Sequence, residues 1–346
     1  MSTGLLVTGP FFLTSDLRAM KSRLLCGTLL AFTVAGCDSS IVTQPAAGGP
    51  SLAMGPESLI ATGAELTRLG EGFSFTEGPS PDHFGNIFFT DQPNDQIHRW
   101  DRLTGEITLF LQGAGRANGM FFDDSGSLIA AADMHGELWS IDQDGNHTVL
   151  VDNYEGNLLN GPNDLWIAPN GGIYFTDPLF VRDYWDADDP RRTGSQQGGE
   201  FIYYLSPDRS TLTRIGEIEG SWPNGVIGTS DGKTLYVAQM RPVGRIFAYD
   251  INPDGSLSNR RVFADRPNPD GMTIDARGNI YVAGGGAPGW PSGVAVFNPA
   301  GERVLLIPTG EGWTSNVGFG GPNRKTLFIT AGGRVYGLGM QVRGVK

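Results

Sequence analysis

A short phrase recurs six times in this chain, each copy a tight turn followed by a hydrophobic strand. The copies are Gly85-Asn86-Ile87-Phe88-Phe89-Thr90-Asp91, Gly126-Ser127-Leu128-Ile129-Ala130-Ala131, Gly171-Gly172-Ile173-Tyr174-Phe175-Thr176-Asp177, Gly232-Lys233-Thr234-Leu235-Tyr236-Val237, Gly278-Asn279-Ile280-Tyr281-Val282-Ala283 and Arg324-Lys325-Thr326-Leu327-Phe328-Ile329. Neighbours lie about 40–46 residues apart, with one gap of about 60, and repeats of that length built from short strands are the signature of propeller blades. Six copies predict an all-β, six-bladed β-propeller. The 51 glycines and 22 prolines suit its many turns.

About eight to ten residues before each turn, one position holds Glu77, Asn118, Asn163, Asn224, Asp270 and Asn316. In a propeller such positions are related by rotation about the central channel. Starting each innermost strand, these side chains point into the channel mouth. All are short and oxygen-bearing, as a hard cation requires. The alternative is that Asn-Gly and Asp-Gly simply mark turns. Glu77-Gly78-Pro79 fits that alternative worst, because Glu is not a favoured turn residue.

A net charge of −12 argues against nucleic-acid binding. Cys26 and Cys37 both precede the repeats, which excludes disulfides and thiolate metal sites within the propeller. The four histidines are scattered and lack zinc-site spacing. His135, just past the second repeated strand, is the one candidate for the rim of the mouth, with a solvated loop residue as the alternative. Gly228-Thr229-Ser230-Asp231-Gly232 matches Gly-x-Ser-x-Gly but falls in a strand-to-strand turn, without the elbow into a helix that this motif needs. Asp142-Gln143-Asp144-Gly145 lacks the later ligands of an EF-hand and reads as a turn.

The long gap begins after Asp177-Pro178, so the extra residues, 179–200, emerge beside the mouth. They include Phe180, Arg182, Tyr184, Trp185, Asp186, Arg191 and Arg192. This insert is either a lid or a solvated loop. Residues 64–69 are expected to pair with the last blade and close the ring.

Glu77-Gly78-Pro79, Asn160-Gly161-Pro162-Asn163-Asp164, Gly171–Pro178, Trp222-Pro223-Asn224-Gly225, Pro269-Asp270-Gly271 and Phe319-Gly320-Gly321 together resemble the gluconolactonase, regucalcin (senescence marker protein) and luciferin-regenerating enzyme family, over residues 65 to 340. The resemblance implies a six-bladed propeller with one divalent metal in the channel, most often Ca²⁺, with Mg²⁺, Mn²⁺ or Zn²⁺ as alternatives. It implies Glu77, Asn163, Asn224 and Asp270 as metal ligands and leaves Asn118 and Asn316 as channel lining. Regucalcin-like members carry a substrate-contacting Arg two residues before the third-blade Asn, where this chain has Gly161. Substrate orientation must then come from elsewhere, and Arg116 and Arg182 are candidates, with Asn118, Trp185 and His135 as further substrate-side residues. Trp222 either stacks on a sugar ring or packs between blades.

The expected reaction is metal-dependent hydrolysis of a small lactone, such as gluconolactone or a related aldonolactone. The cation would polarise the carbonyl while Asp270 acts as base, nucleophile or ligand only. Two readings compete: a phosphotriesterase resembling diisopropyl fluorophosphatase, and a non-catalytic binding scaffold, because fold alone does not fix function.

The N-terminus reads as an export signal over residues 1–37, with Met20 a candidate start, Lys21 and Arg23 as the basic part and an apolar stretch from Leu24 to Val34. Val34-Ala35-Gly36-Cys37 resembles a bacterial lipobox, with an ordinary secretory cleavage site as the alternative. Residues 38–58 read as a flexible tether and 59–346 as the propeller. The chain is thus expected to be an exported bacterial lipoprotein facing the periplasm, its only membrane contact an N-terminal lipid on Cys37. A fatty-acid analogue should label the wild type and not Cys37→Ser; equal labelling of both would refute the anchor.

Overall fold

Five of the six repeated turns are built around a side chain that accepts a backbone hydrogen bond. Asp82 accepts the N–H groups of Phe84 and Asn86, Asp123 those of Ser125 and Ser127, and Asp275 those of Arg277 and Asn279. The chain then passes through the left-handed region, where glycine carries no penalty. Gly85, Gly126, Gly171, Gly232 and Gly278 take φ between 69° and 89° there, and the sixth copy, without glycine, uses Asn323 and Arg324. Asp142 accepts from the N–H groups of Asp144 and Asn146, so it too is a turn residue.

The computed structural model describes residues 58–217 and 222–345; the signal, the Cys37 lipobox and the tether up to residue 57 lie outside them. After β1 (Thr67–Glu71), the first blade is β2 (Thr76–Pro81), β3 (Ile87–Asp91), β4 (Gln96–Trp100) and β5 (Ile107–Gln112). The second is β6 (Ala117–Phe122), β7 (Leu128–Ala132), β8 (Glu137–Ile141) and β9 (His147–Val151). The third is β10 (Leu165–Ile167), β11 (Ile173–Asp177), β12 (Phe201–Leu205) and β13 (Leu212–Glu217). The fourth is β14 (Pro223–Gly228), β15 (Thr234–Gln239), β16 (Arg245–Ile251) and β17 (Leu257–Asp265). The fifth is β18 (Pro269–Ile274), β19 (Ile280–Gly284), β20 (Gly293–Phe297) and β21 (Arg303–Pro308). The last begins with β22 (Asn316–Gly320), β23 (Thr326–Ala331) and β24 (Arg334–Gly339), and β1 from the other end of the chain supplies its fourth strand.

Six antiparallel four-stranded sheets result, as the six repeats predict, and each repeated phrase is the second strand of its blade. β1 pairs with β24 at Thr67–Glu71, slightly beyond the expected 64–69, and so closes the ring without leaving that edge exposed. The core lies between blades. Phe88 meets Phe110 and Phe122 edge-on, and fully buried Trp166 fills the space above Gly228.

The in-phase dipeptides are not turns. In the first, second, fourth and fifth blades they lie inside the innermost strand, where its pairing slips at Glu77/Ser80, Ala117/Met120, Pro223/Val226 and Pro269/Met272. Such a bulge re-aims the side chain that carries it. The glycine that follows makes room for the next blade. A Cβ on Gly78 would lie 2.1 Å from the Asn118 carbonyl oxygen, on Gly119 2.2 Å from Asp164 Oδ1, on Gly225 2.3 Å from the Asp270 carbonyl oxygen, and on Gly271 1.9 Å from Asn316 Cγ.

Hydrogen bonds continue the ring. Gly119 N donates to the Asn163 carbonyl (2.7 Å), Thr176 Oγ1 to the Asn224 carbonyl (2.8 Å), Gly271 N to the Ser315 carbonyl (2.8 Å) and Ser315 Oγ to the Thr76 carbonyl (2.6 Å). Four of the six blade junctions are thereby locked at the level of the repeated polar residue. Gly225→Ala should cost about 1–3 kcal/mol through overpacking. Gly286→Ala, whose Cβ would meet its nearest atom at 3.6 Å, should cost far less. Denaturant midpoints of the two variants check this.

Candidate active site at the channel mouth

The repeated residues line the channel, four of them on bulged strands, buried by the surrounding blades. Glu77, Asn118, Asn163, Asn224, Asp270 and Asn316 are each exposed by 6% or less. Glu77 Oε2 accepts from Gly78 N and from Asn316 Nδ2, both at 3.1 Å, which joins the first and last blades. Asn224 helps to lower Asp270 against its burial and gives Nδ2 to Met240 Sδ. Asn118 and Asn163 make no side-chain hydrogen bond among the described residues, although both are almost fully buried.

Sequence reasoning missed three further residues. Trp313 donates its indole N–H to Asp270 Oδ2 at 2.6 Å and fixes that carboxylate. Its ring lies on Gly285, where a Cβ would come within 2.2 Å of it. Nothing local marks this contact, because it spans 43 positions of sequence. The second residue is Asp164, a third buried carboxylate, whose oxygens accept from Leu165 N and Val226 N. It was legible as the one acid in the place where the first, second, fourth and fifth blades have glycine. The third is Asp133.

Electrostatics sets the site apart. Burial pushes Glu77 up to about 7, against the pull of Asn316, Gly78 N–H and the Arg182 charge. Burial and then the Glu77 charge raise Asp164 to about 7. Burial first, then Glu77, hold Asp270 well above the ordinary carboxylate range. Three acids in one buried space, with one guanidinium in range, cannot all be ionised unless positive charge is added. The donors are oxygens throughout. Among the described residues no three His, Cys, Asp or Glu side chains gather as a metal-binding group. An ion here would therefore rest on two carboxylates completed by amides, a donor set that fits a hard divalent cation.

The insert forms a cap tied to the second blade. Asp133 is positioned like Asp91 and Asp177, at the end of a second strand, but it acts differently. Asp91 accepts from Ser74 N and Phe75 N, and Asp177 from Asn160 N and Gly161 N, so each holds the backbone that leads into an innermost strand. Asp133 Oδ2 instead accepts from Arg182 Nε (2.7 Å), Tyr184 Oη (2.9 Å) and Gln92 Nε2 (3.1 Å). Fully buried Arg191 donates to the carbonyls of Asp133 and Met134, pairs with Asp189, and lies 4.0 Å from the Trp185 ring centre. Trp185 is thus buried as part of the cap's own packing. A Cβ on Gly161 would sit 2.8 Å from Asp133 Oδ1, so the cap's anchor leaves no room for a side chain there.

The remaining candidates take clear places. Arg116 and Arg182 flank the mouth. Exposed His135 stacks on Trp139, which has His147 on its far side. Trp222 packs against Phe180 with Arg241 on its ring. Ser230 lies in the β14–β15 turn, beyond the end of β14 away from Asn224, which removes it from this site.

A six-bladed propeller with a buried ring of acids and amides at one mouth defines a class, and comparison with known proteins agrees. The chain belongs to the SMP-30/gluconolactonase/LRE-like family, whose model matches residues 75–333. It is 28% identical to a gluconolactonase of Zymomonas mobilis over 303 residues, covering 80% of this chain and 81% of that protein. It is 28% identical to the pentonolactonase XacC of Haloferax volcanii over 279 residues, covering 77% and 82%. The solved structure of a gluconolactonase from Xanthomonas campestris superposes with a TM-score of 0.72 at 30% identity, covering 82% of this chain and 91% of that one.

Proposed function

We propose that this chain hydrolyses small lactones, aldonolactones foremost, with a divalent cation held at the channel mouth by Glu77, Asn163, Asn224 and Asp270. The observation that carries the reading is the buried cluster of acids and amides that lacks the positive charge needed to ionise it. Relatives named gluconolactonase and pentonolactonase support the reaction class. The oxygen-only donor set makes Ca²⁺ the first choice, and regucalcins are among the chain's relatives.

When bound, the cation would polarise the lactone carbonyl and offset negative charge developing on its oxygen. The protein's own groups do the rest. Trp313 holds Asp270 Oδ2, and Asn224 steadies the same carboxylate. Asp270 takes a proton from the attacking water as its oxygen bonds to the carbonyl carbon, and gives that proton to the ring oxygen as the acyl C–O bond breaks. The product is the open hydroxy acid. Glu77, held by Gly78 N–H and Asn316, serves as a ligand rather than a base. The Asp133-anchored cap positions substrate from the blade-two side through Arg182 and Tyr184.

Chelation should abolish proton release from glucono-1,5-lactone and added Ca²⁺ should restore it. Asp270→Asn should lower kcat by about 10²–10⁴-fold while still binding Ca²⁺ measurably by calorimetry. Full turnover in that variant would remove Asp270 from the chemistry, and turnover untouched by chelation would remove the cation.

A further inference from the structure

The residue two positions before each ligand-ring residue has positive φ in four consecutive blades: Arg116 (48°), Gly161 (148°), Trp222 (62°) and Asn268 (48°). Gly161 and Asn268 suit that region; an arginine and a tryptophan do not, and non-glycine residues there are strained by about 1–3 kcal/mol. The fold therefore imposes the conformation, and two blades meet it with a bulky side chain at the mouth.

What these side chains build is an arc of guanidiniums laid on aromatic rings. Arg116 lies 4.3 Å from the Tyr184 ring centre, and Tyr184 shares Asp133 with Arg182. Arg182 lies 5.2 Å from the Phe180 ring centre, and that ring packs on Trp222, where Arg241 lies 3.5 Å from the ring centre. The arc runs from the second blade through the cap to the fourth. Arg182 is neutralised by Asp133 at 2.6 Å. Arg116 and Arg241 have no carboxylate at ion-pair distance among the described residues. The acids nearby are committed to backbone: Asp95 accepts from Arg116 N, and Glu200 from Leu179 N and Trp222 N. Arg116 Nε is buried without a partner, and its Nη1 donates only to the carbonyls of Gln92 and Pro93. Two guanidiniums without a carboxylate partner, each lying on an aromatic ring in an otherwise acidic chain, offer the charge-assisted fork that a carboxylate or phosphate accepts.

We infer that the preferred substrate is an anionic lactone, one whose ring carries a carboxylate or phosphate received by a free guanidinium of this arc, Arg116 or Arg241, while the ring carbonyl faces Asp270. This rests on the lactone-hydrolase reading above. The test uses the Ca²⁺-loaded full chain and compares kcat/KM for 6-phosphoglucono-1,5-lactone and glucaro-1,4-lactone, each against the neutral gluconolactone of the same ring size. The expected result is a preference of about tenfold or more for at least one anionic partner, the size of a charge-assisted hydrogen bond, and the two substrates tell phosphate from carboxylate. That ratio should fall toward one in at least one of Arg116→Asn and Arg241→Gln, and in about 0.5 M salt. Asn tolerates the left-handed backbone, so a melting temperature no lower than wild type should accompany a lost preference in Arg116→Asn. Equal or better turnover of the neutral lactones, or a ratio indifferent to both variants, would overturn the inference and leave lactone hydrolysis standing. No turnover of any lactone would overturn the underlying reading as well.

Discussion

Everything about this propeller turns on how closely its innermost strands approach one another. Side chains on the glycines after Glu77, Asn118, Asn224 and Asp270 would overlap the neighbouring blade. That contact forces the strands into bulges, and the bulges aim polar side chains inward rather than into the inter-blade core. Six short polar residues are then buried in one narrow space. A protein core would ordinarily reject such a cluster. Its persistence in a fold otherwise held together by Phe, Tyr, Ile and Val packing between blades ties the architecture to the chemistry.

The channel is asymmetric along its length. At one end lie the acids, the cap and the arginine–aromatic arc. Toward the other lies a cavity of about 50 Å³ whose lining includes Met120, Val226, Met272, Val317, Arg324 and Val345. The end of the chain packs there, with Gly344 N on the Arg324 carbonyl and Val345 N on the Ile274 carbonyl. The mouth is divided as well: Trp313 and Asp270 belong to the fifth-to-sixth-blade side, and the guanidiniums to the second-to-fourth. A bound lactone would be read from two directions, its carbonyl by one and its substituents by the other.

Much of this was legible in the sequence because the physics repeats. A turn that needs positive φ takes glycine each time, and a strand buried on both faces takes a short apolar run, so blade number and ring position follow from spacing. The closing strand was legible because a ring needs one. What did not repeat could not be read. The Trp313–Asp270 contact joins residues with no shared pattern. Asp133 occupies the same register as Asp91 and Asp177, yet turns outward to hold the insert, and only the packed cap reveals the difference. Asp164 stood in plain view as an acid at a glycine position. The Asn-Gly dipeptides carried a misleading local signal: their glycines serve close approach between blades rather than a reversal of the chain.

The central claim is that Glu77, Asn163, Asn224 and Asp270 converge on one cation. A crystal of the protein grown with Mn²⁺ as an anomalous scatterer tests it directly. The account predicts a single strong anomalous peak on the channel axis within bonding distance, about 2.1–2.6 Å, of oxygens from all four side chains, weakened when Ca²⁺ competes. A channel mouth without a peak under saturating metal, or a peak held by other residues, would contradict it.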